Sequence, residues 1–235
     1  MNDQHKLRDA RFPLLLLAVF LVVAVALGIS PHYRQDWLLE NVLVLLALPV
    51  LVLGFRRLRF SDGSYAALFV FLLLHEIGAH YTYAEVPWDR WFSALCGFSL
   101  HEALGLSRNH FDRVIHFAYG LLVTPAVAEL VAARTSSPGV WRWLVPVSLI
   151  TAGSTLFELF EWAAAVCFGG DLGVAYLGTQ GDPWDAQQDM LQALLGSLAA
   201  VAVLAAAARR RRRREAAAVA QSSGRRRTHA PRTRP

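Results

Sequence analysis

Charge is scarce in this chain. Only 17% of its 235 residues are Asp, Glu, Lys or Arg, against 55% hydrophobic, and the mean hydropathy is +0.36. That balance excludes an ordinary soluble domain and predicts an integral membrane protein. Cysteine is scarcer still: Cys96 and Cys167 are the two present, with no CxxC or zinc-finger spacing. This excludes a thiolate-ligated metal centre and a dithiol redox motif. The topology derived below puts both thiols on one side of the membrane, where a disulfide and two separate packing residues both stay open. Phosphate-loop patterns of the GxxxxGKS/T and GxGxxG kinds are missing, and no serine sits in a GxSxG context. Nucleotide binding through such a loop and serine-hydrolase chemistry therefore have no support. The first apolar run has no convincing A-x-A cleavage site, so it reads as a retained helix rather than a signal peptide.

What charge there is lies unevenly. Residues 209–235 hold eleven Arg and one Glu, so the rest of the chain is net negative although the whole is +5. The basic tail reads as solvated and cytoplasmic, touching anionic lipid and binding no nucleic acid. Its low complexity predicts disorder.

Six apolar stretches are long enough to span a bilayer. They are Pro13–Ile29, Trp37–Phe55, Tyr65–Tyr81, Asp112–Ala133, Trp141–Phe168 and Trp184–Ala208. The Ser30-Pro31 pair ends the first, since proline cannot continue a helix. Glu40 and Asn41 fall in the first turn expected for the second. Loops carrying Lys6, Arg8 and Arg11, then Arg56, Arg57 and Arg59, then Arg134 and Arg142, then Arg209–Arg214, alternate with loops poor in net positive charge. By the positive-inside rule both termini are cytoplasmic; the connector around Arg108 fits this pattern least well. The fold class is thus all-α: a polytopic inner-membrane protein of six transmembrane helices in one domain (residues 1–208), followed by the tail (209–235). Between the third and fourth spans, 82–109 is rich in aromatics, and Trp88–Phe98 is too short to cross and suits the interface.

Ionisable residues inside a membrane are costly, roughly 2.5–3.5 kcal/mol each on insertion scales, and usually mark a path, a relay or a site. Here they share one depth. Glu76 and His80 on the third span, Asp112 and His116 on the fourth, Glu158 and Glu161 on the fifth, and Asp185 and Asp189 on the sixth all fall in the outer leaflet. Each pair has i,i+3 or i,i+4 spacing, which sets it on one helix face. The spacing predicts a polar cavity among spans three to six. Glu76 and His80 would be the inward pair of the third span, His75 a neighbour that orients them, and spans one and two packing elements. The candidate catalytic set is Glu76, His80, Asp112, His116, Glu158 and Asp189. Oxygen and imidazole ligands suit Zn, Mn or Fe, so a divalent metal is one alternative; no cofactor is fixed. His75-Glu76-…-His80 is HExxxH, whose two histidines stand about 140° apart on a helix, so the HExxH zinc motif is absent. The alternative is a set of satisfied polar networks that hold helices together. Ser154 reads as a small packing residue. The segment 169–183 has five glycines and no Lys or Arg; it reads as a lid, with Asp182 or Asp185 capping the sixth helix.

The runs FLLLHEIGAHYTYAEVPWDRWF, RNHFDRVIHFAYGLL and ELFEWAAAVCFGGDLGVAYLGTQGDPWDAQQDM resemble the YjdF-like family of bacterial inner-membrane proteins, a domain of unknown function, across residues 10–208. The resemblance implies topology and location and no established activity. A fainter similarity runs to VanZ-like membrane proteins. It rests on Asp112-Arg113-…-His116-Phe117 and on Asp185 with Gly196, while Asp189 and Gln192 depart from that pattern. Three functions follow as expectations: an enzyme acting on an envelope lipid or lipid-linked substrate, a transporter or proton-coupled channel, and a non-catalytic scaffold. The bilayer is the partner in each; neither the sequence nor the resemblance fixes an oligomeric state.

Overall fold

The computed structural model describes residues 3–136, 138–170, 173 and 177–228, with side chains from 10 to 218. Parts of the Gly-rich segment (171, 172 and 174–176) and residues 229–235 lie outside the described residues. All secondary structure among the described residues is helical: α1 Asp3–Gly28, α2 Arg34–Gly54, α3 Asp62–Tyr81, a 3₁₀ turn Tyr83–Glu85, α4 Trp88–Cys96, α5 Leu100–Leu104, α6 Phe111–Arg134, α7 Trp141–Phe168 and α8 Asp185–Thr228. Six of them, α1, α2, α3, α6, α7 and α8, are long and apolar enough to cross a membrane, and they coincide with the six apolar runs.

Several helices start earlier than the apolar runs, α1 at Asp3 and α3 at Asp62 among them, and two other boundaries bear on the argument. α2 begins at Arg34, a turn before Trp37, because Arg34 donates to the carbonyls of Gly28 (3.3 Å) and Ile29 (2.8 Å) and so closes the last turn of α1. Glu40 and Asn41 therefore sit one turn deeper than expected and are buried with Asp36. α8 runs on to Thr228, so the start of the basic tail is helical rather than irregular. Ala and Arg both favour helix, and an Arg211–Glu215 pair at 2.8 Å spans one turn of it.

α6 is the centre of the bundle and packs against α3, α7 and α8. Its contact with α8 is the most extensive because small residues face each other. The Cα of Gly120 lies over the backbone of Ala193 and Ser197, and Gly196 lies over Phe117 and Leu121. Thr124 donates to Ser197 Oγ at 2.8 Å beside this crossing. α1 packs on α3, whereas α2 leans chiefly on α3 and stands away from α7.

The two ends of the bundle differ in chemistry. At one end Ser61 caps α3 by accepting from Ser64 N–H, and Glu129 of α6 accepts from Ser61 N–H (2.8 Å), Ser61 Oγ (2.6 Å) and Ser64 Oγ (2.8 Å). Arg56, Arg57, Arg59, Arg134, Arg142 and Arg209–Arg214 gather at this arginine end. At the other end, Thr82 closes α3 in the left-handed conformation (φ 55°). The chain then folds back, and the Tyr83 ring lies on Gly78, where a Cβ would stand 2.6 Å from it. Val86, Phe111 and Ile115 form a buried cluster there with Phe71, Leu74, Tyr81 and Trp88 around it. Asn109 ties this polar end together. Its Oδ1 accepts from Trp88 Nε1 (2.7 Å) and Phe111 N–H (2.9 Å), its Nδ2 donates to Val86 O (2.8 Å), and its backbone exchanges two bonds with Gln180. Asp89 accepts from Ser99 Oγ and from Leu100 and His101 N–H, which holds its carboxyl below the usual carboxylate range. α4 carries one apolar face, as an interfacial helix requires. Cys96 and Cys167 are unpaired and exposed.

Candidate functional site

Two layers of polar side chains lie at the polar end. The upper layer joins the connector before α6 to the turn before α8. Arg108 pairs with Asp185 and lies 3.6 Å from Asp182. Arg113 donates to Asp182 at 2.5 Å and lies 3.6 Å from Asp185. Asp182 also accepts from Trp184 N–H (2.9 Å) and Gln188 Nε2 (2.9 Å), so it caps α8. The Trp184 N–H first, then the two guanidinium groups, hold the Asp182 carboxyl below its ordinary value. The Gly-rich segment has no cation of its own, yet two arginines from elsewhere in the chain reach it. Arg108 is therefore an anchor between the connector before α6 and the turn before α8.

The lower layer lies within the first turns of α6 and α8 and the last turns of α7. His116 Nε2 stands 3.6 Å from Asp112 Oδ1 and 3.5 Å from Glu158 Oε1. Asp112, His116 and Asp189 each turn one ligating atom to a common centre, all within 4.8 Å of one another. On the far side of the ring, His116 Nδ1 meets Ser154 Oγ at 3.5 Å. Asp189 is 2% exposed, and its Oδ1 has no hydrogen-bond partner; neither does Glu158 Oε1. The arrangement follows from local sequence. Asp112 and His116 are one turn apart on α6, and the Gly120 and Gly196 contact one to two turns further on brings α8 close enough for Asp189 to join them.

Below and beside this cluster a cleft of about 770 Å³ opens between α2 and α7, bounded behind by α3 and α6. Its long wall is apolar: Leu43, Leu46, Ala47, Val50 and Leu51 from α2, Leu68 and Leu72 from α3, Leu156 and Phe160 from α7. Its polar end carries Asp112 and His116 with Glu40, His75 and Glu161. A second cleft of about 1010 Å³ lies between α1, α2 and α3 toward the arginine end and holds no acid or histidine.

Of the six residues expected from sequence, the structure brings Asp112, His116, Glu158 and Asp189 together. His80 does not join them. Its Nδ1 donates to Leu27 O at 2.8 Å, and its ring packs against Tyr81 and His32, so it fastens α3 to the end of α1. Glu76 is fully buried with no hydrogen-bond partner on either oxygen, and it does not line the cleft. His75 does line it, with Tyr83 Oη 2.6 Å from its Nδ1. The inward face of α3 is thus that of His75, a correction to the expected Glu76/His80 pair. Sequence reading also passed over Glu40, which is 4% exposed with Oε2 unpartnered and faces the cleft. α2 is a wall of the site and not merely packing. A start signal at Arg34 would have put Glu40 inside the span and drawn notice. Ser154, buried on α7, is a neighbour of His116.

The matching family model, described as predicted membrane protein (DUF2238), covers residues 12–211. The chain is also 35% identical over 184 residues to the inner membrane protein YjdF of Escherichia coli (strain K12), covering 78% of this chain and 84% of that protein. No solved structure matches. The chain belongs to the DUF2238 family of membrane proteins.

Proposed function

We propose that this DUF2238 protein takes a lipid from the surrounding bilayer into the cleft between α2 and α7 and acts on its head group with the Asp112, His116, Glu158 and Asp189 cluster. One observation carries the reading: a long apolar slot ends at His116 and Asp112, with Glu40 Oε2 unpartnered across from them, while Glu158 and Asp189 stand behind His116 and Asp112 without lining the slot. A volume of about 770 Å³ falls within the roughly 300–1,000 Å³ of small-molecule pockets. Apolar gaps between membrane helices fill with lipid in general. The first cleft differs from the second in presenting acids and histidines to the polar end of its occupant, where the second presents Arg56 and Arg59. His116 Nε2 and the neighbouring carboxylate oxygens 3.5–3.6 Å away place polar atoms where the head group of such an occupant would lie. The likeness to an inner membrane protein supports a place in the bacterial inner membrane. The concentration of arginines supports a cytoplasmic arginine end, which sets the cluster in the outer leaflet.

A relay for transport would need ionisable groups leading on to the arginine end. Glu129, the acid of α6 in that half, is instead bonded to Ser61 and Ser64 at the start of α3. Total lipid analysis of a strain lacking the protein tests the reading. Wild-type protein should restore the lipid profile, while His116→Ala and Asp189→Asn, present in the membrane at wild-type level, should not. Full restoration by both variants would refute it.

A further inference from the structure

We propose that Asp112, His116 and Asp189, with Glu158 beside them, hold one divalent first-row cation of the Zn²⁺ or Mn²⁺ class. Zinc lies about 2.0–2.2 Å from histidine nitrogen and carboxylate oxygen, so neighbouring ligands of a tetrahedral site stand roughly 3.3 Å apart. The separations of His116 Nε2 from Asp112 Oδ1 (3.6 Å) and Glu158 Oε1 (3.5 Å) are close to that edge. They are also well beyond the roughly 2.7–2.9 Å of a charge-assisted hydrogen bond. These groups face one centre without bonding to each other.

Two independent observations point the same way. Asp189 is 2% exposed and directs an oxygen with no partner into the cluster, as Glu158 does with Oε1. Two carboxylates also share this centre with His116, a third (Glu158) stands 3.5 Å from the imidazole, and the ion pairs of Arg108 and Arg113 are made with Asp182 and Asp185 in the layer above. Buried anions need a compensating charge, and a divalent cation supplies it at the point they surround. The imidazole is arranged as a ligand requires: Ser154 Oγ at 3.5 Å from Nδ1 sets the ring and leaves Nε2 directed at the centre. The donor set, one imidazole with two or three carboxylates, suits Zn²⁺ or Mn²⁺ rather than a soft ion. The inference uses the side chains of the proposed lipid site but not the lipid. Ion and lipid are read separately, so either can fail alone.

The test uses full-length protein in lipid nanodiscs, stripped with a chelator and titrated with Zn²⁺ and with Mn²⁺. Stoichiometry is read by elemental analysis and affinity by calorimetry. The expected result is one ion per chain for at least one of the two metals. Asp189→Asn should weaken it by about 100-fold or more, and Ser154→Ala by ~10–100-fold, the range for a group that orients a ligand. Asp89→Asn, a carboxylate in the first turn of α4, should bind as wild type does. Co²⁺ added to the stripped wild-type protein should give the visible absorption of a coordinated ion, a readout that needs no variant to fold. The proposal is overturned if the wild-type protein binds neither metal below millimolar concentration, or if Asp189→Asn binds as tightly as wild type.

Discussion

Replacing Gly120 by alanine should loosen the bundle at its tightest contact and disturb the polar cluster with it. A Cβ at 120 would stand 2.7 Å from Ser197 N and 2.9 Å from the carbonyl carbon of Ala193, with the Ala193 oxygen closer still. Ordinary contact begins near 3.4 Å, so α6 and α8 must separate by about 1 Å, because the obstacles are backbone and cannot rotate away. Overpacking of this kind costs about 1–3 kcal/mol, which in a chain of this size lowers the melting temperature by roughly 2–12 °C. Gly196→Ala meets Leu121 N at 2.9 Å and Phe117 C at 3.0 Å from the opposite side. The two substitutions disrupt one contact, so the double variant should lose less than the sum of the singles. Thermal unfolding of nanodisc-embedded protein, followed by tryptophan fluorescence, reads the change. Gly63→Ala is the control, since Ser61 Oγ at 3.8 Å is the nearest atom to its new Cβ. A Gly120→Ala protein as stable as wild type would refute the close-packed crossing, and with it the account of how Asp189 reaches Asp112 and His116.

Other outcomes follow from the polar end. Arg108→Gln leaves Asp185 buried with Arg113, 3.6 Å away, as its remaining cation, so the loss should fall below the about 3–5 kcal/mol of a fully broken buried pair; Asp185→Asn in the same chain should recover part of it, and no recovery by thermal unfolding would contradict the pairing. The Asp182 carboxyl is held below its ordinary value of 3.8 in the folded chain. Its stabilising contribution is therefore complete above pH 3.8 and is lost as pH falls through the lowered folded value. Asp182→Asn should flatten that acid limb of the stability profile, and an unchanged limb would show that other groups set it. Cys96, exposed on α4, should react with a membrane-impermeant maleimide applied to the outer face of spheroplasts, while labelling only after lysis would reverse the proposed orientation.

The six spans were legible because a membrane demands long apolar helices with their backbones satisfied internally, and nothing else in this composition competes with that signal. That Asp112, His116, Glu158 and Asp189 share one level of the bundle was legible for the same reason: helix rise converts residue number into position. Azimuth was not. Whether His75 or Glu76 faces the cleft depends on a neighbour 100° round the helix, and Tyr83 decides it by folding back over Gly78 to meet His75. That turn belongs to a segment whose sequence reads only as aromatic and interfacial. Glu40 was missed because an acid near a helix start has an adequate explanation as a dipole partner. The earlier start at Arg34 removes that explanation and leaves the residue buried. The role of Arg108 needed tertiary contact as well, since its partners Asp182 and Asp185 lie more than seventy residues away in the sequence.

The central claim is that a lipid occupies the cleft with its head group at the His116 cluster. Native mass spectrometry of the protein released from bilayer nanodiscs measures this most directly, comparing wild type with Ala47→Trp, in which an indole projects from the α2 wall of the slot. The account predicts a lipid retained on the wild-type chain and lost from Ala47→Trp, with retention unaffected by Phe20→Leu, a substitution in the second cleft. Equal retention by wild type and Ala47→Trp would contradict it.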